Sequence, residues 1–154
     1  MPVNEILNYV EVNERLSLAG QPSDEQVESL AKEGFEVNVN IAPIDPRYSL
    51  DDEPGLSQQY GMEYIHLPVD FKNPTEDNLH DFFAIMDQQK DKKVFVHCAA
   101  NYRVSAFCSL YAISKGEMDL DQANDFIQNV WNPSEFPPWP EFIEGMGEKL
   151  LERV

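Results

Sequence analysis

Apolar residues along this chain recur in two periods, and the switch between them marks the elements. Leu16-Ser17-Leu18-Ala19 reads as a short first strand, broken by Gly20-Gln21-Pro22. Ser23 with Gln26 three residues on is a capping box. Val27, Leu30 and Ala31 give the helix behind it an apolar face, and Gly34 ends it. From Phe35 to Ile41 the period drops to two, with Val37, Val39 and Ile41 alternating against Glu36, Asn38 and Asn40. Residues 43–59 read as a polar loop with a helical turn near Leu56, and 64–69 as a further strand. Pro74 and Thr75 open a second helix with Glu76 and Asp77 in its first turn and Leu79, Phe82, Phe83 and Met86 inward.

Residues 88–92 turn into the apolar strand Val94-Phe95-Val96. The helix that follows Arg103 places Val104, Phe107, Leu110, Tyr111 and Ser114 on one face and stops at Gly116. Asp119 with Gln122 caps another helix, with Ala123, Phe126, Ile127 and Val130 inward. After a proline-rich turn over 132–138, Pro140 fits the first position of a last helix carrying Phe142, Ile143, Met146 and Leu150. Strands alternate with helices, then helices gather at the end. This predicts an α/β fold: a single domain over 1–154 with a central, mostly parallel sheet of four or five strands and helices on both faces.

Charge narrows the partners. With 28 acidic against 11 basic residues the chain carries a formal net charge of −17. Nucleic acid and anionic membrane surfaces are therefore poor partners, and an anionic substrate needs local donors rather than the global field. No run of eighteen apolar residues occurs, and the first residues are acidic where a signal peptide is basic. Cys98 and Cys108 are the two cysteines, which does not suggest a disulfide-stapled secreted fold. The expected location is cytoplasmic.

The candidate chemistry lies in His97-Cys98-Ala99-Ala100-Asn101-Tyr102-Arg103-Val104-Ser105. A cysteine ending a strand, a tight loop and an arginine at a helix start form the layout of an anion cradle. Backbone N–H groups of Ala99, Ala100, Asn101 and Tyr102 and the helix end can hold an oxyanion, and Arg103 can grip two of its oxygens. Such surroundings favour a thiolate nucleophile. Asp70 also follows a strand, so a parallel sheet brings it to the same edge, where it can serve as a general acid and then a base. His97 orders the loop by hydrogen bonding or packs in the core. His66 and His80 lack a metal-binding cluster. Asp45 and Arg47 read as a solvated turn that can flank the pocket, Cys108 as a packing residue or a redox partner of Cys98, and Trp131 and Trp139 as packing.

These motifs resemble the cysteine-dependent protein tyrosine and dual-specificity phosphatase superfamily, above all its small bacterial dual-specificity-like branch. The likeness spans Leu16 to Lys115 and includes Gly20-Gln21-Pro22-Ser23, Asn38 to Ile41 and Leu67-Pro68-Val69-Asp70. It implies a phosphatase without metal or cofactor, acting on a phosphorylated small molecule or phosphoprotein. Aryl phosphate or phosphotyrosine is the conservative substrate. Cys98 would be the nucleophile, Arg103 the phosphate clamp and Asp70 the acid, with His97 and Ser105 in support. The chain departs from the family pattern in three ways. Four residues, not five, separate Cys98 from Arg103; Asn101 stands where glycine is common; and Val104 replaces the hydroxyl that usually follows the arginine, with Ser105 one residue on. Asn tolerates the left-handed backbone better than most residues. The short spacer is also similar to the rhodanese loop, so a sulfurtransferase carrying a Cys98 persulfide is an alternative. A non-catalytic phosphate-binding or interaction domain is a third.

Overall fold

The computed structural model describes residues 2–152; Met1, Arg153 and Val154 lie outside them. One five-stranded sheet runs β1 (Val10–Asn13), β2 (Leu16–Ala19), β5 (Val94–His97), β3 (Val37–Asn40), β4 (Glu63–His66) in spatial order. β2, β5, β3 and β4 are parallel, and β1 lies antiparallel on the β2 edge. This is the expected mostly parallel α/β sheet. Helices α1 (Asp24–Lys32) and α2 (Glu53–Gln59) share one apolar cluster with Phe95. Helices α3 (Glu76–Gln88), α4 (Tyr102–Ser114), α5 (Leu120–Gln128) and α6 (Trp139–Glu152) share another with Val94 and Val96. Each fully buried large aliphatic or aromatic side chain there contributes about 1.5–3 kcal/mol.

Capping fixes where the helices begin. Ser23, Thr75 and Asp119 each accept a backbone N–H three residues on, and Gln26, Asn78 and Gln122 return the bond. Such caps are each worth about 1 kcal/mol. Helix α4 has no such cap: its first flanking residue, Asn101, makes no side-chain hydrogen bond to it.

The alternation along β5 positions the site. All four of its residues are buried. Val94 and Val96 face the α3–α6 cluster, while Phe95 faces α1 and α2, with the His97 ring stacked on it at 5.7 Å. Cys98 continues the first series and joins the α4 side. The sheet's carboxyl edge then gathers the loops after β2, β3, β4 and β5, where ligands bind in such folds.

Asn38 and Asn40, the polar half of the alternation along β3, are both buried, as a strand covered on both faces requires. They are satisfied internally, Asn38 Nδ2 by Glu53 and Ser57 and Asn40 Nδ2 by Tyr64. The polar loop over 43–59 holds a true helix, α2. Strand β1 was not expected, since its mostly exposed residues leave no apolar pattern. Ala31, Phe83, Tyr111, Ser114, Phe126 and Val130 are half-buried at the margins of the core.

Candidate active site

The chain after β5 folds back onto the end of β2. Gln21 N–H donates to Ala99 O at 2.9 Å, and Gly20 and Ala100 form an isolated antiparallel bridge. The approach is so close that a Cβ on Gly20 would stand 2.5 Å from Ala99 O. Asn101 adopts the left-handed conformation at φ 70°. Its buried amide Nδ2 donates to Asn8 O at 2.8 Å, and Asn8 Nδ2 donates to Ala100 O at 2.9 Å. Asn8 is itself left-handed at φ 53°, and Gly20 N–H donates to Leu7 O at 2.7 Å. The N-terminal segment thus clasps the loop from behind. Nothing in local sequence pattern could have found Asn8, because the contact spans 92 residues.

Ser105 N–H makes the first bond of helix α4, to Asn101 O. The N–H groups of Tyr102, Arg103 and Val104 precede it, so the positive end of α4 is left without a side-chain cap beside Cys98. Arg103 is buried. Its Nη1 donates to Val69 O at 2.9 Å, its guanidinium lies 5.7 Å from the Phe71 ring centre, and its Nε has no partner among the described residues. A buried guanidinium with an idle donor is costly unless an anion completes it.

Cys98, Arg103 and Asp70 line one cleft of about 410 Å³. Ala99, Ala100 and Tyr102 line it too, and Asp45, Arg47 and Lys72 stand at its rim. Cys98 sits at the floor with no exposed surface of its own. Asp70 is exposed, and its Oδ1 accepts Lys72 N–H at 3.0 Å. The next residue, Phe71, is pinned by Trp139, whose indole N–H donates to Phe71 O at 2.7 Å. Tyr102 stacks on Trp131 at 4.7 Å, and Phe71 meets both rings, so the two tryptophans pack behind the Phe71 and Tyr102 side chains that line the cleft. Asp45 and Arg47 flank the cleft as a turn, Arg47 exposed and Asp45 half-buried, and the two are held together as an ion pair. Arg47 donates to Asp45 and holds its carboxyl down at about 2.

Three predicted residues lie behind the cleft rather than in its lining: Asn101, His97 and Ser105. The Ser105 hydroxyl donates to Tyr102 O and accepts the Trp131 indole N–H, both at 3.0 Å, so it is engaged away from Cys98. His97 orders the loop by hydrogen bonding. Its Nδ1 lies 3.1 Å from Cys98 O and its Nε2 2.5 Å from Glu53 Oε2. Glu53 also accepts from Gln21 Nε2 and Asn38 Nδ2, both at 2.9 Å. Burial pushes the Glu53 carboxyl up, but its bonds to His97, Gln21 and Asn38 outweigh this and hold it below the ordinary value. One buried carboxylate therefore ties together β3, β5 and the loop after β2. Sequence reasoning missed it because Glu53 looks like one more acid in an acidic loop. Cys108 lies on α4, unpaired, and burial pushes its thiol up.

Known proteins share this fold. A DUF442 chain from Shewanella putrefaciens CN-32 has a crystal structure that superposes with a TM-score of 0.86 at 34% identity, covering 96% of both chains. P. aeruginosa TpbA (TM-score 0.77, 16% identity, 96% of this chain and 90% of that one) shares the fold. So does the core catalytic domain of the PP-IP phosphatase SIW14 from S. cerevisiae (0.80, 14%, 99% and 91%). Among curated proteins, a beta-lactamase hydrolase-like protein of Agrobacterium fabrum is 29% identical over 126 residues, and one from Xylella fastidiosa 26% over 119. These alignments cover 78% and 75% of this chain but 28% and 27% of those proteins, so the chain spans about a quarter of their length. Residues 5–134 match the family described as the DSP-PTPase phosphatase fused to NAD+ kinase. The chain belongs to that family, and its fold is that of the cysteine-dependent phosphatases of the protein tyrosine and dual-specificity type.

Proposed function

We propose that the chain hydrolyses phosphomonoesters through a phosphocysteine intermediate. The observation that carries this reading is the buried Arg103 Nε, left without a partner in the cleft that Cys98 floors. The Cys98 thiolate attacks phosphorus, an S–P bond forms, and the P–O bond to the leaving group breaks. Arg103 and the N–H groups of Ala99, Ala100, Asn101, Tyr102 and Arg103 take the charge on the equatorial oxygens. Asp70 gives its proton to the departing oxygen. It then takes one from water, which attacks phosphorus and returns the sulfur as thiolate. Phe71 and Tyr102 on the cleft wall favour an aryl ester such as phosphotyrosine or a small aryl phosphate. One catalytic domain over 1–154 carries this chemistry, and two free thiols suit a reducing, cytoplasmic setting.

The test is Asp70→Asn across aryl phosphates of rising leaving-group pKa. Turnover should fall by about 10²–10⁴-fold for poor leaving groups and much less for good ones. An equal loss for all of them would remove Asp70 from the acid role.

A second reading, sulfur transfer through a Cys98 persulfide, is favoured by the four-residue spacer and by a Ser105 hydroxyl engaged away from the sulfur. It needs the cradle but not Asp70. Thiosulfate:cyanide transfer that survives Asp70→Asn would support it.

A further inference from the structure

The amino edge of the sheet, opposite the Cys98 cleft, holds a second cavity of about 340 Å³. Leu16 and Val94, partners in the β2–β5 register, lie at its base, with Met86, Ala112 and Phe126 among its apolar walls. Arg15, Lys90 and Lys92 also line it, and all three are exposed. Arg15 has no ion-pair partner among the described residues, and Lys92 reaches Glu63 at 3.5 Å. The lining has one carboxylate, Glu117. Three cations against that one carboxylate line an apolar hollow in a chain of net charge −17. The volume and the mostly apolar lining with few polar groups are those of a small-molecule site.

We propose that this cavity binds a small amphiphilic acid. Its apolar body would fill the hollow, and its carboxylate would face Arg15, Lys90 and Lys92. An N-acyl amino acid has this chemistry. The site stands apart from the phosphatase chemistry, since four strand residues put Val94 about 13 Å from Cys98.

Calorimetric titration of the full chain with N-octanoylglycine tests it, with uncharged N-octanoylglycinamide as control. The acid should bind at one saturable site, and the amide about tenfold or more weakly. The double reversal Arg15→Glu with Lys90→Glu should weaken the acid by a similar factor, and Ala112→Trp should abolish binding by filling the hollow. Aryl phosphate turnover should stay unchanged in both variants. If Ala112→Trp does not fold, the surface double variant decides. No saturable binding, equal affinity for the two probes, undiminished binding in the double variant, or a cavity occluded by a second copy in sedimentation would each overturn the proposal.

Discussion

Cys98 and Cys108 are both buried and both unpaired, ten residues apart in the same chain, yet their surroundings differ in every respect that bears on reactivity. Cys98 ends a strand, precedes an uncapped helix start and shares a cleft with a buried guanidinium whose Nε is idle. Its loop is clasped by Gly20 and Asn8 and underlaid by Glu53 and His97. Cys108 sits mid-helix in the apolar cluster of α3–α6, where burial pushes its thiol up. The difference teaches that the sulfur alone carries no function. Donors arranged around it do, and a buried thiol without them packs like a small apolar side chain.

Replacing the two sulfurs gives the largest contrast. Cys98→Ser should lose aryl phosphate hydrolysis by on the order of 10⁴-fold or more in kcat/KM, while Cys108→Ser stays within about threefold. Comparable losses in both would break the comparison. Beneath the loop, Glu53→Gln removes one partner of the buried His97 contact and should cost about 3 kcal/mol or more in denaturant unfolding. The same variant sharpens the pH dependence. Because the folded Glu53 lies below its ordinary value, its stabilisation is present above the usual carboxylate range and is lost as pH falls through the lower folded value. Unfolding free energy against pH should therefore be flatter in Glu53→Gln than in wild type over that acid range.

Arg103→Lys keeps the charge and loses the fork, and should lower kcat/KM by about 10²–10³-fold. Gly20→Ala drives a methyl against Ala99 O and shifts the loop, for an expected drop in kcat of about 10²-fold with the fold retained by circular dichroism. Cys108→Ala is the smallest change, about 1 kcal/mol in stability, with turnover intact.

Most of the scaffold was legible because its elements carry local signals. The three capping boxes mark real helix starts, and the apolar run before Cys98 is the central strand. Pattern reading brought Cys98, Arg103 and Asp70 to one edge, and they line one cleft. It did not reach the supports. Asn8 acts on Ala100 through tertiary contact alone, and Glu53 becomes distinctive only when β3 and β5 bury it. The alternation at Asn38 and Asn40 is legible, but that its polar half holds a buried network is not. Period-two patterns report residue type, not which layer covers the strand.

In the proposed mechanism Cys98 takes the phosphoryl group. Rapid acid quench of the wild-type chain with an aryl phosphate, followed by peptide mass spectrometry, tests it directly. A burst of aryl alcohol should be matched by phosphate on the Cys98 peptide and none on the Cys108 peptide. Steady hydrolysis with no burst and no phosphate on Cys98 would contradict it.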